Sequence, residues 1–410
     1  MTASGRLSYG DRALRLLFTC LPGFGHFLPM VPLARASAAA GHDVCFATAA
    51  AFCPQVEKAG FEAFAAGLSL PEQMQQAARR YPEQHAMAPG KERFEAFVPR
   101  MLAGVAGPAR AADLAPIVER LEPDLLVHDE TDFGGPLAAA AAGIPYADHS
   151  VGFLRPLDMA RLAGATLAPL ADQWGVDVGE FGGMFRYLYL DVCPPSLQSP
   201  EIDEIDVAHQ MQNAHIDAGD EQLPDWIGEL APVPTVYVSL GTIFNQKQEV
   251  FAAILEALRD EELNVIVTIG GGNDPAALGP QPDNVHVEQF IPQGALLPYC
   301  DLAINQGGTA ILPLLAAGLP LLVMPQSANQ FHNAEACVAA GVGRAILPAD
   351  VGVASVRREM RALREVPRFR ERAEEVARET ELMPPPEHGV ELLERLARER
   401  GRVLRPRVAP

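Results

Sequence analysis

Long apolar runs are missing from this 410-residue chain. No internal segment reaches the ~18 uninterrupted apolar residues that a membrane span needs, and a soluble protein is expected. Basic charge is also short: 32 Lys and Arg stand against 52 Asp and Glu, a net charge of −20. A nucleic-acid binder presents a basic face, and a polynucleotide partner is therefore not expected. The six cysteines fall mostly inside apolar patterns without CxxC or CxH spacing. Buried free thiols fit that distribution, and a metal centre or disulfide framework does not. The N-terminal residues hold no apolar run of signal-peptide length, which leaves a cytoplasmic location as the expectation.

What is present is enough for two cores. A chain of 410 residues is too long for one compact domain and suits two of roughly 200 each. With 49% hydrophobic and 20% charged residues, the composition is that of an ordinary globular protein.

The chain states one plan twice. Leu16-Leu17-Phe18-Thr19-Cys20 runs into Pro22-Gly23-Phe24-Gly25-His26, and Val236-Tyr237-Val238-Ser239-Leu240 runs into Gly241-Thr242. Each is an apolar strand entering a glycine turn that opens a βαβ unit. Later in each half, Asp124 to Asp129 leads through an Ala-rich helix to Gly143-Ile144-Pro145, and Asp301 to Gln306 leads likewise to Gly318-Leu319-Pro320. Two doubly wound α/β domains facing across a cleft are predicted, with ligands outside the carboxyl ends of the strands. Between 150 and 195 an irregular, Gly- and aromatic-rich insertion is expected to wall a pocket or form a small subdomain. The acidic, Pro-containing stretch from Asp217 to Pro234 reads as the linker, and Arg400 to Pro410 as a frayed tail.

Four segments carry chemistry. Gly23-Phe24-Gly25-His26-Phe27-Leu28-Pro29 is a poor dinucleotide fingerprint, because Leu28 occupies the third small position and the next strand ends without an acid for a ribose. It leaves His26 at a helix N-terminus, where the macrodipole favours a neutral imidazole suited to general-base work. Asn305-Gln306-Gly307-Gly308-Thr309 and Ser239-Leu240-Gly241-Thr242 are neighbouring strand-to-helix turns, and a pair of anion-ready turns suits a diphosphate. Met324 to Asn333 places amides in succession, each offering donor and acceptor to vicinal hydroxyls, as a sugar requires.

Together these residues resemble the family 1 nucleotide-sugar glycosyltransferases of the GT-B fold, in particular actinobacterial enzymes that decorate macrolides, enediynes, anthracyclines and similar natural products. The resemblance runs from about residue 14 to 400. It includes Pro22 to Pro29, the Asp124–Asp129 strand, Cys193-Pro194-Pro195-Ser196-Leu197, Ser239 to Ile243, Phe290-Ile291-Pro292-Gln293, the Gly307-Gly308 turn and Met324 to Asn333. It implies an α/β GT-B architecture: an acceptor-binding Rossmann-like domain over residues 1–222, a nucleotide-sugar-binding one over 223–385, and over 386–410 a helix crossing back to the first domain together with the tail.

The implied activity is an inverting sugar transfer from a dTDP- or UDP-sugar to a natural-product hydroxyl, without metal or cofactor. His26 would be the base and Asp129 its acid partner, with Asp132 as the alternative acid. Thr242, Gln306, Gly307, Gly308 and Thr309 would hold the diphosphate. Phe290, Ile291 and Gln293 would hold the nucleobase, and Asn329 with Gln330 the sugar. Phe94, Phe153 and Phe185 are candidates for an apolar acceptor pocket. A homodimer or an activator protein is the implied protein partner, with no membrane partner.

Two departures stand out. The diphosphate turn is one residue shorter than the family's His-Gly-Gly-x-Gly-Thr and lacks its histidine, and Asn329 replaces the usual acid before Gln330. The second points to a deoxy or modified sugar. The first keeps a competing expectation open, a degenerate homologue that binds a sugar nucleotide or activates a partner transferase.

Overall fold

The computed structural model describes residues 12–213, 222–241, 248–270 and 273–406. Strands buried on both faces of a parallel sheet are written as near-continuous apolar runs, and such runs form the centre of two sheets. The first contains β1 (Arg15–Thr19), β2 (Asp43–Thr48), β3 (Glu62–Ala65), β4 (Leu125–Asp129), β5 (Tyr146–His149), β6 (Tyr189–Asp191) and β7 (Ala208–Gln210), in the order β3-β2-β1-β4-β5-β6-β7. The second contains β8 (Thr235–Ser239), β9 (Asn264–Thr268), β10 (Val285–Glu288), β11 (Leu302–Asn305), β12 (Leu321–Val323) and β13 (Gly343–Ala345), in the order β10-β9-β8-β11-β12-β13. Every pairing is parallel.

In each sheet the order reverses beside the first strand, between β1 and β4 and between β8 and β11. Chain leaving the carboxyl ends there diverges to opposite faces and opens a crevice. The turn bearing His26 comes after β1, Asp129 ends β4, Gly241 comes after β8 and Gln306 after β11. Three of the four chemical segments therefore sit at switch points together with Asp129, and the fourth, Met324 to Asn333, follows β12 one strand farther along.

Several elements depart from the sequence expectation. β6, β7 and β13 are three residues long, too short for periodicity to show, and exist because a neighbour's open edge pairs with them. Residues 157–174 are not irregular but a helix, Leu157–Trp174, whose Leu157, Ala160, Ala163, Gly164, Leu167 and Ala171 form its buried face. Gly164 and Pro169 disguised it. Gly164 is there for closeness, since a Cβ would lie 2.0 Å from the Glu180 carbonyl oxygen.

The acidic linker falls partly on residues 217–221, outside those described. Its later part is anchored: Ile227 is buried, and Trp226 stacks on His286 with centroids 3.9 Å apart and planes 4° from parallel.

The C-terminal helix Pro386–Glu399 lies on the first domain, Gly389 so near that a Cβ would meet Met211 Sδ at 2.5 Å and Leu33 Cδ1 at 2.8 Å. The chain beyond it is docked through Arg405 rather than frayed. The Val403 N–H donates to the Tyr187 carbonyl at 2.8 Å, the Arg405 N–H to that of Asp206 at 2.8 Å, and the Val403 side chain is fully buried. One buried apolar cluster contains residues of both sheets, including Leu16, Phe18 and Val127 of the first and Ile266, Ala303 and Leu321 of the second. None of the helices among the described residues is long and apolar enough to cross a membrane.

Candidate active site

His26 lies in a single helical turn, Phe24–Phe27, in which the His26 and Phe27 N–H groups close back on the Gly23 carbonyl at 3.0 Å. Pro29 then resets the chain through a 3-10 turn before the longer helix Val31–Ala39. The imidazole is partly exposed, whereas the Asp129 side chain opposite it is wholly buried, and His26 Nδ1 lies 3.5 Å from Asp129 Oδ1. Asp129 Oδ2 accepts the Leu21 N–H at 2.7 Å, and Oδ1 accepts the Thr131 N–H at 2.7 Å and the Thr131 hydroxyl. Burial pushes the Asp129 carboxyl up, but attraction to His26 in its protonated form and hydrogen bonds from His26, Thr131 and Leu21 outweigh it, holding the group well below the usual carboxylate range.

Thr131 completes the pair. Its Oγ1 lies 3.2 Å from His26 Nδ1 while its hydrogen goes to Asp129, so the oxygen is free to accept an Nδ1–H. That network assigns the tautomer with the proton on Nδ1, leaving Nε2 as the basic nitrogen. The sequence did not single out Thr131; its only trace there is a hydroxyl two places after the strand's final acid.

Asp132 is engaged elsewhere. Its Oδ1 accepts the N–H groups of Gly134 at 2.9 Å and Gly135 at 3.2 Å at the start of the helix Gly134–Ala141, and faces Arg110 Nε at 3.4 Å. Buried Arg110 also donates to the Cys20 carbonyl at 2.7 Å. Arg110 and Asp132 thus brace the ends of β1 and β4, and Asp129 is the acid brought to His26.

The second sheet offers amides in place of ions. Thr242 lies outside the described residues. Gly307 has φ +93°, and a Cβ there would meet Val323 Cγ1 at 2.9 Å and the Gln330 carbonyl at 3.0 Å. Asn305 is structural: its Oδ1 accepts the Gly307 N–H at 2.7 Å and its amide faces the Ser239 carbonyl at 3.4 Å. Asn333 holds the other side of the turn, donating to the Gly307 carbonyl at 2.8 Å.

Gln306 fills the space between the two turns. Cβ atoms built on Gly241 and Gly308 would lie 2.2 and 3.0 Å from its Nε2, and its buried Oε1 has no hydrogen-bond partner among the described residues. An amide can be turned about its last bond, so this unpaired end can present either oxygen or N–H to a ligand.

Gln330 is half structural, its Oε1 accepting the N–H groups of Gln326 at 2.7 Å and Ser327 at 2.9 Å. Asn329 is half-buried beside Ala328, whose φ of +55° is a strained geometry for a residue with a Cβ. Phe290 is 63% exposed and available for stacking, while the Ile291 side chain is in the core and leaves only its backbone to a ligand. Gln293 opens the short helix Gln293–Leu296.

The two sites meet. A Cβ on Gly25, beside His26, would stand 2.9 Å from Thr309 Oγ1. Farther along the cleft the helix Lys91–Met101 touches Gln330–Ala339: Lys91 Nζ is 2.6 Å from Glu335, and Glu95 is 2.9 Å from His332 Nε2. Phe94 packs on the His332 ring at 5.7 Å.

Beside the His26–Asp129 pair opens an apolar cleft lined among others by Val98, Leu102, Phe133, Met159, Met184 and Phe185. Of the three expected aromatics only Phe185 lines it. Phe94 is committed to the domain contact and Phe153 to the core. Glu130 and Arg155 also line it; sequence reasoning missed both because neither belongs to an aromatic pattern.

Comparison with known proteins fits this arrangement. The fold matches the crystal structure of the glycosyltransferase SnogD from Streptomyces nogalater with a TM-score of 0.74 at 29% identity, covering 94% of this chain and 100% of that one. Two facing parallel-sheet domains with opposed switch points and this likeness define the class: the chain is a GT-B glycosyltransferase. Models of the erythromycin biosynthesis protein CIII-like N-terminal and C-terminal domains match residues 35–241 and 252–396, and the chain belongs to that family. It is 32% identical to the L-demethylnoviosyl transferase of Streptomyces niveus over 80% of this chain and 84% of the relative. To the 4'-demethylrebeccamycin synthase of Lentzea aerocolonigenes it is 30% identical, over 87% and 93%. Its activity is sugar transfer in natural-product biosynthesis.

Proposed function

We propose that the enzyme moves a deoxy or otherwise modified sugar from a dTDP- or UDP-sugar to a hydroxyl of an apolar acceptor, with inversion and without metal. The observation that carries this reading is the buried Asp129 carboxylate set against His26, with Thr131 between them. His26 Nε2 takes the proton of the acceptor hydroxyl. The oxygen forms a bond to the anomeric carbon from the face opposite the donor diphosphate, and the carbon–oxygen bond to the diphosphate breaks with its electron pair. One displacement inverts the anomeric centre. Asp129 stabilises the imidazolium as it forms, by the logic of a His–Asp pair.

In this reading the leaving diphosphate lies on Thr242, Gln306, Gly307, Gly308 and Thr309, where donors gain strength as charge develops. The unpaired end of Gln306 supports that placement. The nucleobase stacks on Phe290 with Gln293 and the Ile291 backbone at its edge, and Asn329 with the free amide end of Gln330 meets the sugar hydroxyls. The apolar cleft takes the acceptor. The test is transfer from dTDP- and UDP-glucose to a phenolic acceptor in the presence of a chelator, with the product's anomeric configuration read by NMR. Inverted product made at an unchanged rate supports the reading; retained configuration, or dependence on added metal, sinks it.

A further inference from the structure

Glu130 and Arg155 are the charged side chains among the residues lining the apolar cleft, and the proton transfer uses neither. Both oxygens of buried Glu130 are occupied: Oε1 is 3.3 Å from Arg155 Nη2, and Oε2 accepts the Tyr189 hydroxyl at 3.2 Å. The guanidinium is less satisfied. Arg155 is 19% exposed, and its Nε is buried with no hydrogen-bond partner among the described residues. An N–H without a partner in an apolar wall carries a desolvation cost that a ligand oxygen removes. The planar fork of a guanidinium is matched to an acidic oxygen pair.

Glu130 engages Arg155 through Nη2 and leaves its Nε without a partner among the described residues. Burial pushes the Glu130 carboxyl up, Arg155 opposes this, and the ionised Asp129 next to it pushes in the same direction as burial. The nearby Asp148 carboxyl is likewise raised well above its ordinary range by burial, with Glu130 adding to the effect.

Resting on the assignment of this cleft to the acceptor, we propose that Arg155 is a specificity residue that selects apolar acceptors bearing an acidic oxygen, a carboxylate or phenolate, and holds them through it. The hydrocarbon body then lies on Phe133, Met159, Met184 and Phe185.

The test uses the full chain and two probes of one skeleton, 6-hydroxy-2-naphthoate and 2-naphthol, titrated calorimetrically at neutral pH. The wild type is expected to bind the naphthoate at least about tenfold tighter than the naphthol, and Arg155→Met to erase that preference while changing naphthol affinity by less than about twofold. Arg155→Lys restores part of it, as a point charge without the fork. Equal affinity for the two probes in the wild type, no naphthoate binding, or a preference that survives Arg155→Met overturns the proposal. Titration of the same samples with dTDP and UDP reports the donor site and the fold of each variant. Absence of nucleotide binding in the wild type counts against the proposed dTDP- or UDP-sugar donor and leaves the naphthoate comparison to judge Arg155.

Discussion

The two sheets share strand order around their switch points, yet the chemistry at their carboxyl edges is opposite. The first carries His26, His128, Asp129, Glu130, Asp148, His149 and Asp191, most of them fully buried. At the second sheet's switch point the described residues Gly241, Asn305, Gln306 and Gly307 are not ionisable, while Glu288 ends the outlying β10. One edge can exchange protons. At the second switch point the described side chains can only donate and accept hydrogen bonds. A shared topology fixes where a site lies, and the side chains decide which half of the reaction it serves.

The comparison breaks most sharply at the proton-exchanging edge. His26→Ala and Asp129→Asn are each expected to lower kcat by about 10²–10⁴-fold while leaving dTDP affinity intact, as steady-state kinetics paired with calorimetry would show. A variant that transfers at the wild-type rate removes the assigned roles.

The same edge should make the protein pH-sensitive. Burial pushes the Asp191 carboxyl up to about 7 from an ordinary 3.8, against hydrogen bonds from Gln198 and the Cys193 N–H. The folded state then binds a proton that the unfolded state has released. Stability from this group is fully present below pH 4 and is lost as pH rises through about 7, at most about 4 kcal/mol. Asp191→Asn, which keeps the acceptor oxygen and removes the charge, should flatten the melting temperature between pH 4 and 8 and raise it at pH 8. Equal pH slopes in the two proteins would discard that account.

At the neutral edge, Gly241→Ala puts a Cβ 2.2 Å from Gln306 Nε2 at a φ of +78°. Displacing Gln306 should weaken dTDP or UDP binding by roughly 10–100-fold with acceptor affinity unchanged. Calorimetry with both ligands checks that separation.

Thr131→Val sharpens the picture of the relay. Removing the oxygen between His26 and Asp129 should cost about tenfold in kcat and shift the pH–rate profile, and Thr131→Ser should restore both. The smallest effect belongs to the bridge between the domains: Lys91 and Glu335 are both well exposed, so a double-mutant cycle on stability should give a coupling below about 1 kcal/mol.

Much of this was legible in the chain because it depends on local pattern. The central strands of both sheets are apolar runs leading into glycine turns, and those turns named His26, Gly307 and Gly308 directly. Asp129 came from the family resemblance, with Asp132 left open as the alternative acid. What escaped were features set by distant chain. The helix Leu157–Trp174 was hidden by Gly164, a residue demanded by the Glu180 carbonyl against it. Phe94 was offered for the acceptor pocket and proved to pack on His332, a contact made by the other domain. Phe153 went to the core for the same kind of reason. The tail beyond Arg400 looked free because its partners, Tyr187, Asp206 and His209, lie about 200 residues earlier.

Sequence alone thus determined the repeat, the two parallel sheets and the placement of chemistry at their carboxyl ends, and it offered His26 as the candidate base. These come from hydrophobic periodicity and from glycine positions, which act within a few residues. Tertiary structure decided between Asp129 and Asp132, inserted Thr131 into the pair, made Asn305 a brace and Gln306 a candidate ligand, and set Arg155 in an apolar cleft. Those outcomes depend on which polar groups are left without a partner once strands far apart in the chain lie side by side, and burial makes each unmet hydrogen bond costly enough to choose among them.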